Sequence, residues 1–384
     1  MYVKKTGSRR KLENGSMDDR CLISVIIPVY NAEQTVNRAV ESVLLQMNGQ
    51  VELILVDDGS KDGSGAICDE YSRNNPGVQV VHKVNGGLST ARNAGMTVAT
   101  GEYIVFLDAD DYLDINTCER LAAVIQANRP DCIVFGMKYI NCAGEATSSS
   151  NKIPKGTLLN KAVLKDLILP PLLNLCKDDD HFILEFSCNK VYRREIIEQH
   201  SVWFDEGRRI WEDRPFVVHY LKHCENLYAM EECFYNYVDV AGSLSRQYNM
   251  AYFDIILANY HHYTKLFSDW YDFGTQYVKN YWCRAIENMI FRSLEQENLR
   301  NEIERNILNT LKKDVVIDWY AERSPEKPFD KKMSQLVTSG KPEKALSCYK
   351  KKAKQKRRQM HLARNINCIK QGLREITKWI FLKK

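Results

Sequence analysis

No G-x-G-x-x-G follows the first apolar run of this 384-residue sequence, and no G-x-x-x-x-G-K-[ST] occurs anywhere in it. A dinucleotide-binding Rossmann enzyme and a P-loop NTPase are both disfavoured, because each uses such a loop to cradle phosphates. The twelve cysteines form no C-x-x-C pair and no His/Cys group at zinc spacing. In a chain this long they read as reduced, cytosolic thiols, not as a disulfide framework. No apolar run approaches the ~20 residues of a transmembrane helix. Residues 1–20 are polar and hold no secretory core, so a flexible leader is expected there. With 19 Gly and 10 Pro the chain is too poor in both for low-complexity disorder. No internal repeat and no Ser/His/Asp constellation for covalent catalysis is visible.

What is present reads as an ordinary globular protein, 44% hydrophobic and 27% charged. Its length allows one large core plus an accessory domain. The net charge of +5 conceals an asymmetry. From Lys341 to Lys384 there are 15 Lys/Arg against 2 Glu, so the remaining 340 residues carry about −8. The basic character belongs to a tail, which argues against a nucleic-acid binder.

Through residue 137 apolar runs alternate with amphipathic stretches: strands at Cys21–Tyr30, Val51–Val56, Val78–Val81, Tyr103–Leu107 and Cys132–Met137, helices between them. This alternation predicts βαβ units and a mainly parallel sheet, with functional groups at the C-terminal strand ends. Three runs end in polar clusters: Tyr30-Asn31, Asp57-Asp58 and Asp108-Ala109-Asp110-Asp111. Asp108 and Asp110, two apart, would share one face of an extended backbone. Crowded carboxylates invite a divalent cation, and hard oxygen ligands suit Mg²⁺ or Mn²⁺. Taken singly, each cluster reads equally as a helix cap. From Tyr248 to about Lys313 the pattern is helical.

Four motifs stand in order: Ser24-Val25-Ile26-Ile27-Pro28-Val29-Tyr30-Asn31, Val56-Asp57-Asp58-Gly59-Ser60, Gly87-Leu88-Ser89-Thr90-Ala91-Arg92-Asn93 and Phe106-Leu107-Asp108-Ala109-Asp110-Asp111. Together they resemble the inverting, nucleotide-sugar-dependent glycosyltransferases of family 2, with Glu212-Asp213 similar to that family's later acidic pair. The resemblance spans roughly residues 22–246. It implies a GT-A fold, α/β and Rossmann-like, with a mainly parallel central sheet flanked by helices. By the same resemblance Pro28 and Tyr30 line a nucleoside pocket, and Asp58, preceded by Asp57, accepts a hydrogen bond from uracil. Arg92 lies near base and diphosphate, Asp108 faces ribose, Asp110 binds Mn²⁺ or Mg²⁺, and Asp213 is the general base. The implied partners are a UDP-sugar donor and a glycan or lipid-linked oligosaccharide acceptor.

Each residue also has a plainer role. Tyr30 can pack on the next helix, Asp57 and Asp58 can cap one, and Arg92 can be a surface ion-pair partner. Asp213 can simply favour a helix dipole. Trp211 reads as core slightly more readily than as a platform for an acceptor sugar. Asn85 and Lys190 border the pocket or sit at the surface. Ser243, Ser245 and Arg246 form either a lid or an ordinary turn, and the histidines read as structural.

The division expected is a leader (1–20), a catalytic domain (21–246), a helical extension (247–340) and a tail (341–384). The tail joins a basic block, Lys350–Arg358, to Leu362, Ile366, Ile369, Leu373, Ile376 and Trp379–Leu382 at near-helical spacing. Such a segment reads as binding a membrane surface, on the inner face of the cell membrane, with packing on the protein as the alternative. Two other functions stay open: a nucleotidyltransferase on a similar sheet, and a catalytically silent glycan-binding module.

Overall fold

The computed structural model describes residues 2–3, 21–149, 153–173, 184–208, 211–239, 251–296, 300–323, 325 and 327–359. Residues 4–20, His181, Ser243, Ser245, Arg246 and the apolar end of the tail, 360–384, lie outside the described residues. Two compact units emerge, residues 1–246 and 247–384.

The first unit is built on one sheet. Its strands are β1 (Tyr2–Val3), β2 (Ile23–Val29), β3 (Val51–Asp57), β4 (Val78–His82), β5 (Tyr103–Phe106), β6 (Tyr112–Leu113), β7 (Cys132–Ile140), β8 (Ala146–Ser149), β9 (Leu158–Asn160), β10 (Lys190–Arg193) and β11 (Asn226–Val238). The order is β1-β4-β3-β2-β5-β10-β7-β11-β6, with β8 beside β7 and β9 beside β11. Strands β4, β3, β2 and β5 run parallel, as their near-continuous apolar sequences demand. Every residue of β2 and β5 is buried. Beyond β5 the sheet is mixed: β10 is antiparallel to both β5 and β7, while β11 is parallel to β7. The Ser-rich stretch after residue 140 makes a hairpin through β8.

Helices α1 (Val36–Leu44), α2 (Ser64–Asn74), α3 (Leu88–Val98) and α4 (Thr117–Asn128) connect the first five long strands. The apolar stripe of α1 buries Val36, Ala39, Val40 and Val43, the i, i+3, i+4, i+7 face expected of an amphipathic helix. Short turns α5 (Lys161–Val163) and α6 (Leu169–Leu172) precede α7 (Arg194–His200) and α8 (Asp213–Lys222). Residue Asp213 opens α8, with Pro215 in its first turn, where acids and proline are favoured.

The extended backbone expected through the acidic cluster is not found. Strand β5 stops at Phe106, and Asp111 N–H donates back to the Asp108 carbonyl at 3.1 Å, closing a turn. Asp108 and Asp110 therefore do not share one face of a strand. The turn redirects the chain into β6, which pairs with β11.

The second unit is helical, comprising α9 (Tyr252–Phe267), α10 (Gln276–Ser293), α11 (Arg300–Leu311), α12 (Asp314–Glu322), α13 (Pro328–Thr338) and a further helix over 342–359. Tyr260 packs edge-on against Trp282 and Trp319, at 5.2 and 4.8 Å between centroids. The basic block is built into this unit. Tyr349 and Ala353 are buried, Tyr349 meets Phe291 and Phe329, and Lys352 lies 3.5 Å from the Phe329 centroid. The apolar stripe of residues 342–359 is thus already covered by protein. No helix among the described residues is long and apolar enough to cross a membrane.

Candidate active site

Parallel register brings the polar ends of β2, β3 and β5 to one edge: Val29 sits opposite Asp57 and Ile26 opposite Phe106. Pro28 is buried within β2, level with Val56. Tyr30, just past the strand, is 45% exposed and so does not pack away against the next helix. Asn31 turns the chain at φ +49°, a left-handed conformation that Asn tolerates.

The two acids after β3 have separate tasks. Asp57 Oδ1 accepts from Ser60 N–H at 2.9 Å, and its Oδ2 meets His82 Nδ1 at 2.9 Å. Burial pushes the Asp57 carboxyl up, but the Ser60 and His82 hydrogen bonds outweigh it, and the net shift is downward. Asp58 is 3% exposed and organises the loop 83–87. It accepts from Gly86 N–H at 3.0 Å, Gly87 N–H at 2.7 Å, Asn85 Nδ2 at 3.2 Å and the Lys83 ammonium. Asn85 is accordingly a loop anchor. Gly59 at φ +71° lets the two segments meet, since a Cβ there would stand 2.9 Å from Asn85 N.

Arg92 is the hub of the site. It is 1% exposed, so neither the surface role nor open contact with a diphosphate describes it. Its Nη2 donates to Asp108 at 2.8 Å, and its Nη1 to Asp213 at 2.7 Å and Glu212 at 3.2 Å. Phe204 and Phe106 cover the guanidinium at 5.1 and 5.9 Å. Asp108 at the end of β5 and Asp213 at the start of α8 thereby share one cation. Asp213 Oδ1 also accepts from Ser187 Oγ at 2.7 Å.

Around this hub acids outnumber cations. Glu212 is pushed up to about 7, chiefly by burial and then by the Asp213 charge. Asp110 is raised by burial and by Asp108. Asp111 rises to about 8, through burial first and then Asp108 and Asp110. Asp111 caps nothing: its two oxygens accept from Tyr235 Oη at 2.6 Å and Val238 N–H at 2.8 Å, tying the acidic turn to β11. Among the described residues no three His, Cys, Asp or Glu side chains converge as a complete metal cage. Mg²⁺ keeps waters and phosphate oxygens and takes only one or two carboxylates from such a protein, a number that Asp108 and Asp110 could supply.

Arg38 and Ser187 escaped the sequence. Arg38 donates to the Asp110 carbonyl and lies 5.3 Å from the Tyr112 ring centroid. Ser187 and Lys190 are fully buried, so Lys190 is neither surface nor pocket border. Trp211 is not core: it is 38% exposed, at φ +55°, directly before Glu212. Holding a bulky residue there costs about 1–3 kcal/mol, a strain that tends to gather at functional sites.

Residues 24–201 match the family model described as glycosyl transferase family 2. That segment, 178 of the 384 residues, is similar to glycosyl transferase family 2 and contains all four of the ordered motifs. Among curated relatives, the uncharacterized glycosyltransferase EpsJ of Bacillus subtilis is 32% identical over 224 residues, 58% of this chain and 63% of EpsJ. Glycosyltransferase GlyG of Streptococcus pneumoniae is 43% identical over 119 residues, 31% of this chain and 39% of GlyG. The chain thus spans less than two thirds of these relatives. A crystal structure of Staphylococcus aureus TarS 1-349 in complex with UDP-GlcNAc superposes with a TM-score of 0.64 at 20% identity, covering 87% of this chain and 92% of that one. The likeness establishes the shared GT-A fold.

Proposed function

We propose that the protein is a metal-assisted, inverting glycosyltransferase. It would move a hexose or N-acetylhexosamine from a UDP-sugar to a sugar hydroxyl of a surface-polysaccharide precursor, lipid-linked in the form it acts on. The observation that carries this is the Arg92 bridge, which sets Asp108, at the donor end, and Asp213 on two nitrogens of one guanidinium. A donor pocket and a base then adjoin, as single displacement requires. Further support comes from the family of residues 24–201 and from relatives with glycan names, including the poly(ribitol-phosphate) β-N-acetylglucosaminyltransferase TarS.

Tyr30 and Pro28 would line the base, with Asp57 and Asp58 shaping the neighbouring loops. Asp108 would face the ribose. Asp110, with Asp108 beside it, would hold Mn²⁺ or Mg²⁺, which when bound neutralises the diphosphate as a Lewis acid. Asp213 would take the acceptor hydroxyl proton as that oxygen bonds to the anomeric carbon and UDP departs with the electron pair. The exposed Trp211 suits the acceptor side. The basic residues of 342–384 would hold the protein peripherally at an anionic membrane, on the cytoplasmic face.

UDP release from a panel of UDP-sugars, with and without Mn²⁺, tests this. Asp213→Asn should keep UDP binding and lose transfer by roughly 10²–10⁴-fold; intact transfer removes Asp213 as base. Turnover that survives both EDTA and Asp110→Ala removes the metal.

A further inference from the structure

We propose that Ser187 is a positioning residue for the base, fixing Asp213 so that Oδ2 alone is left to accept the acceptor proton. This rests on the reading of Asp213 as that base. Ser187 Oγ and Arg92 Nη1 both donate to Asp213 Oδ1, each at 2.7 Å. No described residue donates to Oδ2. A carboxylate held by one oxygen on two rigid donors cannot rotate, and its other oxygen points in one direction. The base is then preorganised, not oriented anew in each turnover.

The hydroxyl is itself held in place. Ser187 is 0% exposed, and its carbonyl accepts from Tyr192 Oη at 2.9 Å. Lys190 Nζ, fully buried, donates to the Phe186 carbonyl at 2.6 Å and Asn189 Oδ1 at 2.8 Å. Asn189 in turn exchanges hydrogen bonds with the Phe135 backbone, at 3.2 Å each. Residues 186–190 are therefore laced to themselves and to β7. The described residues offer Lys190 no carboxylate within ion-pair reach, and burial lowers its amine to about 8. Burying an ammonium without a counter-ion is unfavourable. Here it closes the turn that carries Ser187.

The test uses the full chain and the UDP-sugar turned over fastest in the panel above. Ser187→Ala should lower kcat roughly 10- to 100-fold, the worth of one hydrogen bond to a charged group. UDP affinity and donor KM should change less than about twofold, because Asp213 acts on the acceptor and on few ground-state contacts. Ser187→Thr, which keeps the hydroxyl, should recover kcat. In an Asp213→Asn background Ser187→Ala should have no further effect. Wild-type kcat in Ser187→Ala, with Asp213→Asn inactive, would overturn the role of Ser187 and leave the base intact. The same fold-loss on the residual activity of Asp213→Asn would also overturn it, because the effect would not pass through Asp213. Full activity in Asp213→Asn, or no turnover of any UDP-sugar, would overturn the reading beneath. If Ser187→Ala unfolds, Ser187→Cys keeps the volume with a weak donor: an intermediate kcat supports the proposal and a wild-type one sinks it.

Discussion

Among the described residues two arginine side chains are almost completely buried, one in each unit, and both are 1% exposed. Arg323 meets one carboxylate, Glu287, at 2.8 Å, and its other nitrogens donate to Ser334 Oγ and the Asp330 carbonyl. Tyr349 and Tyr320 hydroxyls complete the Glu287 oxygen at 3.0 and 3.4 Å. Charge and hydrogen bonds balance one to one. Arg92 instead serves Asp108, Glu212 and Asp213, while its Nε has no partner among the described residues. One cation facing three acids is poor design for stability alone. Burial first, and then the charge of neighbouring acids, raises Glu212 to about 7 and Asp111 to about 8. Imbalance of this kind marks a site that handles charge; balance marks one that holds helices together.

The largest effects should come from removing each arginine. Arg92→Met and Arg323→Met should each destabilise their unit by about 3–5 kcal/mol, the usual penalty for stranding a buried partner. Hydrogen exchange read unit by unit separates the two, since a two-unit chain need not unfold in one step. The rescues should differ. Adding Glu287→Gln to Arg323→Met removes the last charge and should restore most of the stability. Adding Asp108→Asn to Arg92→Met still leaves two acids, so protection should recover only in part, and transfer not at all. Equal recovery in both would erase the distinction.

Much of the first unit could be read from periodicity and strand-end chemistry. The apolar runs at Ile23, Val51, Val78 and Tyr103 became parallel strands, and the polar ends of the first, second and fourth met at one edge. The hub itself was less legible, because its partners lie far apart in sequence: Arg92 reaches Glu212 and Asp213 from 120 and 121 residues away. One signal was available. Ser89, Arg92, Asn93 and Met96 fall on one face of α3, and all are buried, so a stripe analysis of that helix would have turned Arg92 inward. Ser187 had no such signal, since residues 184–189 carry no period. The same-face argument for Asp108 and Asp110 failed because the chain leaves β5 at Phe106 and turns towards β11, a choice made by pairing with a strand more than a hundred residues later.

A smaller effect should follow from Asp111, whose carboxyl is raised from 3.8 to about 8. A raised acid binds protons more tightly when folded. Its contribution is therefore full below the unfolded value and is lost as pH rises from about 4 through about 8. Asp111→Asn should flatten that slope. It should exceed wild type at pH 9 by about 1–3 kcal/mol, the scale of an unfavourably buried polar group. Urea midpoints at pH 5, 7 and 9 would show it. Parallel curves for the two proteins would mean the acidic turn is not under charge strain.

The smallest effect sharpens the comparison most. His82 also stands between acids, Asp57 at 2.9 Å and Asp69 at 3.0 Å, but its side chain is 31% exposed and Asp69 is 37% exposed. It repeats the acid excess of Arg92 in solvent. Burial lowers the His82 value, but the two acids outweigh it and the net shift is upward. A raised histidine stabilises fully below its unfolded value, near 6.5, and loses that contribution as pH rises through the folded value. His82→Gln should therefore cost less than about 1 kcal/mol at pH 5.5, as exposed pairs do, and next to nothing at pH 9. NMR titration of the ring would give the folded value directly. A loss matching Arg92→Met would mean that acid excess, not burial, sets the energy of these clusters. A loss confined to low pH and below that limit places the difference in the low dielectric around Arg92, where one guanidinium must serve the whole site.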